Sequence, residues 1–175
     1  MPLEKVSIEK LSLGAWRCLK LTDGHLEAVV STDIGPRILR FGAVGGRNLL
    51  HEVASQQGLS GGAIWRPYGG HRLWHAPEEK PRTYAPDNAS VEADCDDHAI
   101  RLTQATEPST GIQKQLELRL EGGCLRVVHR LTNRNPWAVE LAPLVSHRFP
   151  LHRVAEAFAL NAEYRDGVVK VIIDV

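Results

Sequence analysis

Net charge is what this 175-residue chain most plainly lacks: 21 Lys and Arg balance 21 Asp and Glu. With no basic surplus and no basic run, nucleic acid is not an expected partner. Long apolar runs are missing too. None approaches the ~20 residues that cross a bilayer, so no membrane partner is expected. Cysteine is scarce. Cys18, Cys95 and Cys124 are odd in number and far apart, which argues against a disulfide framework or a zinc spacing and reads as free thiols in a reducing compartment. Met1–Lys5 begins polar, without the apolar centre of a signal peptide, and a cytoplasmic location is the expectation. Internal repeats and low-complexity runs are absent as well.

What is present is mostly written in period two. Gln115-Leu116-Glu117-Leu118-Arg119-Leu120 alternates polar and apolar without error, Glu121-Gly122-Gly123 turns, and Leu125 to Leu131 runs back. This predicts a hairpin of half-buried strands. Leu26 to Val30 and Arg37 to Phe41 flank the turn Asp33-Ile34-Gly35-Pro36, and His98 to Thr103 alternates again. Short strands with frequent Gly and Pro turns predict a mainly β fold, an antiparallel β-sandwich. Residues 79 to 97 are polar and Pro-rich and read as a long loop. After Pro143 the pattern changes. Leu151, Val154, Ala155 and Phe158 form a helical stripe, predicting a short C-terminal helix over 151–160, and Val168 to Val175 reads as a final strand.

The segment Trp65 to Glu78 concentrates the chemistry. It holds two of the four tryptophans, two of the eight histidines, two arginines, a tyrosine and a glutamate. Aromatic faces beside bidentate hydrogen-bonding groups are what a sugar pocket needs. Read as a strand, the segment sends His71, Leu73 and His75 to one face and Arg72 and Trp74 to the other. Taken singly, either histidine reads as a core hydrogen-bonder or a surface group; taken together, the cluster favours a ligand pocket. A metal held by His71, His75 and Glu78 is the less favoured reading, because His-x-x-x-His-x-x-Glu between two glycines and a proline matches no zinc-enzyme spacing. No metal or cofactor is expected. Arg37, after the Gly35-Pro36 turn, reads equally well as a solvated arginine or as a group reaching the same pocket. Asp87-Asn88 reads as a β-turn, Asn133 as a turn cap, and Trp137 as core.

Gly35-Pro36-Arg37-Ile38, Asn48-Leu49-Leu50, Tyr68-Gly69-Gly70-His71-Arg72-Leu73-Trp74 with Ala76-Pro77-Glu78, and Pro86-Asp87-Asn88 together resemble the galactose mutarotase-like (aldose 1-epimerase-like) superfamily, in an uncharacterised bacterial branch. Leu131-Thr132-Asn133 and Trp137 to Pro143 fit the same pattern, so the resemblance spans roughly residues 5 to 143. It implies part of a β-supersandwich that binds a sugar in an open cleft on one sheet. It also implies general acid–base opening and reclosing of a hemiacetal, with a histidine acting on the ring oxygen and a glutamate taking the anomeric proton. By this resemblance His71 is the candidate catalytic residue, and Arg37 is a candidate pocket arginine. Tyr68, Arg72, Trp74, His75 and Glu78 complete the candidate sugar-binding set. No residue matches the family's catalytic glutamate, which lies in the C-terminal half of the fold.

Two expectations follow for the chain's organisation. Residues 1–143 read as the N-terminal part of the mutarotase-like sandwich, and 144–175 as an atypical tail. A shift of reading frame after Pro143 would account for the break: one set of codons allowed for Leu144 to Phe149, read a base later, gives the Trp-led strand Trp-Ser-Leu-Thr-Val. A half-sandwich also leaves a sheet edge open, through which copies of the chain would form a homo-oligomer. The leading functional expectation is a carbohydrate-binding protein of mutarotase-like ancestry with an incomplete epimerase site. The alternatives are a non-catalytic β-sandwich module for a glycan or a protein partner and, third, the metal-dependent β-barrel enzyme.

Overall fold

Eleven strands make up a computed structural model that describes residues 6–75, 78–80, 82–139, 147–153, 155–156, 159 and 171–174. Five form one antiparallel sheet in sequence order: β1 (Ser7–Leu13), β2 (Trp16–Thr22), β3 (Leu26–Ser31), β4 (Arg37–Ala43) and β5 (His71–Arg72). Four form a second antiparallel sheet: β6 (Glu92–Cys95), β7 (Ala99–Thr103), β8 (Ile112–Glu121) and β9 (Cys124–Asn133). The predicted β-sandwich is what forms. β10 (His147–Pro150) and β11 (Val171–Asp174) pair in parallel as a separate ribbon, and β11 falls within the strand expected at the C-terminus.

The alternation in sequence explains the layers. Leu19, Leu21, Ala28, Val30 and Ile38 from the first sheet meet Ile100, Leu102, Leu116, Leu118 and Leu120 from the second in one core. Burying each such side chain contributes roughly 1.5–3 kcal/mol. β3 is not half-buried but buried from Glu27 through Ser31, because the outer face of its sheet is covered as well. There Trp16, Cys18, Val29, Ile34, Leu39 and Tyr68 form a second cluster. The Trp16 indole N–H donates to the Leu59 carbonyl at 2.8 Å, tying the long 44–70 connection over that face. Strands covered on both sides read as continuous apolar runs, which is why Ala28-Val29-Val30 breaks the alternation.

The β8–β9 hairpin closes through Gly122 and Gly123, both at positive φ, as the two-residue turn of a right-twisted hairpin requires. The segment expected to be a loop over 79–97 contains β6, whose four residues are all exposed. Its polar composition reflects an edge strand facing water on both sides rather than an absence of pairing. Among the described residues helix is confined to three-residue 3-10 turns at Ala54–Gln56, Arg82–Tyr84 and Leu151–Arg153 and to scattered residues after the last. The remainder of the stripe predicted over 151–160, including Val154 and Phe158, lies outside the described residues, as does most of 140–175. Among the described residues no helix is long and apolar enough to cross a membrane.

The outer face of the second sheet is polar and organised around one carboxylate. Glu117, itself nearly buried, accepts from Arg101 at 3.3 Å, Arg119 at 3.1 Å and Arg130 at 2.9 Å. Hydrogen bonds from Arg130 and then Arg119 hold its pKa down at about 2, against an ordinary 4.5. A carboxylate with a depressed folded-state pKa contributes stability that is present above its unfolded value and lost as pH falls through the folded one. Stability should therefore fall between pH 4.5 and about 2. In urea titrations Glu117→Gln should flatten that fall; an unchanged slope would remove Glu117 as its source.

Candidate functional site

Arg37 opens β4 and is 2% exposed. One guanidinium nitrogen donates to Asp87 Oδ2 at 2.6 Å and another to the Gly69 carbonyl. The group lies 5.4 Å from the Tyr68 ring centre. The arginine is therefore neither solvated nor open to a pocket, and it clamps two parts of the 65–88 segment onto β4. Tyr68 is buried at 2% exposure and stands edge-on to Trp16 at 5.6 Å. Asp87 and Asn88 are not a surface turn. Both are buried, and the Asn88 amide donates to the Ile64 carbonyl at 2.6 Å.

The clamp sets where β5 pairs. Arg72 lies opposite Arg37 and His71 opposite Ile38. The close fit depends on Gly69 and Gly70, both at positive φ; a Cβ at Gly70 would sit 2.2 Å from the Ile38 carbonyl oxygen, and one at Gly69 2.5 Å from that of His51. Alternation then separates the side chains. His71 and Leu73 turn inward, Leu73 against the main core, and His75 is buried at 2% exposure. Arg72 stacks 5.3 Å from the Trp65 ring centre and donates to the Thr83 carbonyl at 2.5 Å. Trp74 is 39% exposed. Glu78 is exposed and accepts from the Tyr84 hydroxyl, and Tyr84 stands edge-on to Trp65 at 5.3 Å.

Two neighbours from the second sheet complete this region, and neither belongs to the Trp65–Glu78 segment. Nε2 of His71 lies 2.7 Å from Nε2 of His129, on β9. Burial lowers the pKa of His71, with further lowering from the charges of His129 and Arg37; burial also lowers that of His129. Beneath His75, Lys114 on β8 sits 2.5 Å from Glu107 Oε1, outside hydrogen-bond angles but an ion pair, with the two side chains 1% and 2% exposed. Burial and then the Lys114 charge lower the pKa of His75. Neither ring nitrogen of His75 finds a hydrogen-bond partner among the described residues.

The parity of the strands carries a signal for both neighbours. Ile112, Lys114, Leu116, Leu118 and Leu120 share one face of β8, and that face is buried. Opposite Leu118 and Leu116 in the ladder stand Val127 and His129. Carried one residue further back, the alternation read from Gln115 to Leu120 places Lys114 inside. Nothing in either strand names the partner across the sandwich.

His71, His75 and Glu78 have different surroundings. Among the described residues no three His, Cys, Asp or Glu side chains gather closely enough to hold a metal ion. Trp137, expected in the core, is 65% exposed. Asn133 is a turn cap: its Oδ1 accepts from the Asn135 backbone N–H at 3.0 Å, and its amide donates to the Trp137 carbonyl. Cys18 is a buried free thiol, and Cys95 and Cys124 are exposed ones. A cleft of about 60 Å³ lies on the other side of the first sheet, lined by Trp16, Leu39, His51, Glu52 and Tyr68 among others. It falls well short of the ~300 Å³ at which ligand pockets begin.

No family model, no curated protein and no solved structure matches the chain.

Two measurements test this arrangement. Arg37→Ala leaves Asp87 buried and unpaired, which should cost about 3–5 kcal/mol in equilibrium unfolding; an unchanged midpoint would show that the clamp is dispensable. The three histidines with lowered pKa values bind fewer protons folded than unfolded. Their contribution is therefore full above pH 6.5 and is lost as pH falls from there through the folded values. Replacing both His71 and His129 by Gln should shallow the loss as pH falls below 6.5.

Proposed function

We propose that the chain is a carbohydrate-binding β-sandwich of the galactose mutarotase-like superfamily, with its sugar site at the outer end of β5. The observation that carries this reading is the His71–His129 imidazole pair at the rim of the sandwich, on the same short segment as the exposed Trp74. An exposed indole offers a face for sugar C–H groups. The imidazoles, with Glu78 near them in sequence, offer donors and acceptors for hydroxyls. In this reading His71, Trp74 and Glu78 touch the sugar, Arg72 braces the segment through Trp65 and the Thr83 carbonyl, and Arg37, Tyr68 and His75 hold it in place from inside. The full-length form of such a protein would act as an aldose 1-epimerase-like isomerase. The ligand is a free small-molecule sugar, the setting is the cytoplasm, and an open sheet edge is the route to a homo-oligomer.

Saturation-transfer NMR with glucose, galactose and their 6-phosphates tests the reading. Trp74→Ala, His71→Ala and Arg72→Ala should each weaken binding. Removing one hydrogen bond from a charged group costs about 1.5–3 kcal/mol, roughly 10- to 100-fold in affinity. Cys124→Ser should leave binding unchanged. Failure of every sugar to bind, or equal binding in Trp74→Ala, would sink the proposal.

A further inference from the structure

The His71–His129 contact spans the sandwich. His71 stands on β5, at one edge of the first sheet, and His129 on β9, at one edge of the second. Among the described residues it is the one side-chain hydrogen bond that joins a strand of one sheet directly to a strand of the other. The Nε2 atoms are 2.7 Å apart and the ring centres 5.0 Å apart. The difference is about two imidazole radii, so the nitrogens meet head-on, with one proton on the line between them. A shared metal ion would instead hold its nitrogens roughly 3.3 Å apart around tetrahedral bonds of ~2.0–2.1 Å.

Such a bond needs one nitrogen bare and the other protonated. The neutral pair meets that need, and so does the pair with one added proton. A second added proton puts an N–H on both nitrogens. No acceptor then remains, and two like charges face each other. We propose that the His71–His129 pair is an acid-released latch: it closes the β5–β9 rim of the sandwich while it carries at most one added proton, and the second proton frees β5 and residues 69–75 from the second sheet. The latch works whether or not the segment binds a sugar.

The rim is where one such bond counts. Only two residue pairs join β5 to β4, and β9 is bordered by β8 alone. Leu73 beyond β5 and Val127 on β9 are only partly buried against the main core, so parting of the rim uncovers both. The Arg37 guanidinium holds the Gly69 carbonyl, and release begins beyond that anchor. His129 is exposed and His71 half-buried, so solvent protons reach the pair.

The groups around the pair set its pH range. From β4, the positive Arg37 acts on His71 and is itself paired with Asp87. From β5, Arg72 is turned away against Trp65. On β8, the apolar Leu116 stands opposite His129, and Lys114, further along the same face, is paired with Glu107. Arg130, next on β9, faces Glu117. His75 follows in the chain and sits beside Lys114 and Glu107. Partial burial lowers the pKa of both rings, and the charges of His129 and Arg37 lower that of His71 further. Both protons therefore enter below pH 6.5, the ordinary value for histidine. The latch is shut above that pH and is lost as pH falls through the second step of the coupled pair.

Hydrogen–deuterium exchange of the full chain, read by mass spectrometry from about pH 5 to 8 and corrected for intrinsic exchange rates, tests the latch. The amides of 69–75 should lose protection as pH falls below 6.5, by about 10-fold or more relative to those of β2 and β3, as expected for one hydrogen bond to a charged group. His71→Gln and His129→Gln should each show weaker protection at 69–75 above pH 6.5 and little further loss below it. The double variant should match either single one, because both remove the same bond. Far-UV circular dichroism checks the fold, and His129→Leu, which continues the apolar face of Val127 and Leu131, serves where glutamine disturbs it. Protection at 69–75 that follows β2 and β3 across the whole range overturns the latch. So does an acid loss that survives in His129→Gln, which would place the titrating group at His75.

Discussion

The arrangement turns on a buried ion pair, Arg37 with Asp87 at 2.6 Å, whose side chains are 2% and 4% exposed. Charges taken this far from water return little net stability when paired, and they cost several kcal/mol when left alone. The pair therefore specifies more than it stabilises. Asp87 has to come to Arg37, and the Gly69 carbonyl accepts from the same guanidinium. Both ends of an otherwise irregular stretch of chain are thus fixed to the first residue of β4. Asn88, next to Asp87, gathers the Ile64 carbonyl in turn. With these points set, β5 has one register available, and that register decides which way His71 points.

A second buried pair does related work from the other sheet. Lys114 and Glu107 lie under His75 with almost no exposure. A positive charge so near makes a second one on His75 unfavourable, and burial acts in the same direction. Both effects favour the neutral imidazole, against the opposing pull of the Glu107 carboxylate. Burial lowers the pKa of His71, His75 and His129 alike, and the charges of Arg37 and Lys114 add to it at His71 and His75 respectively. The same electrostatics that organise the loop adjust the acidity of its ring nitrogens.

Much of the scaffold was legible because sheet faces follow a period of two. The hairpin of β8 and β9 and the strand β7 follow from alternation, and β3 and β4 from the apolar runs on either side of the Asp33–Pro36 turn. β1 and β2 were less visible, since Ser7 to Leu13 is largely polar at an edge and β2 is buried on both faces. β6 was hidden by its exposure: Glu92, Asp94 and Cys95 pair through the backbone while their side chains stay in water. Arg37 was the instructive ambiguity. Local sequence offered a solvated arginine or a ligand-binding one, and the outcome depended on Asp87, fifty residues away. Trp137 failed for the opposite reason, since a large aromatic side chain is core only where another layer lies above it.

The same limit applies to the site. A strand's own sequence states which face each side chain takes but is silent about what stands across the sandwich. His129 reads as an inward residue of β9 between Val127 and Leu131, an odd place for an imidazole on an otherwise apolar face. His71 reads as one member of a polar cluster. Only closure of the two sheets joins them, since β5 borders one and β9 borders the other. The contact is therefore a property of the sandwich as a whole. It requires the Leu116 and Leu118 layer to set the spacing between the sheets, the Arg37 clamp to set the register of β5, and the glycine pair to let β5 approach β4. A proton shared between two sheet edges needs this rigidity, because a hydrogen bond between nitrogens weakens steeply with small changes in distance and angle. The energy that fixes it comes from the core, at a distance from the rings themselves.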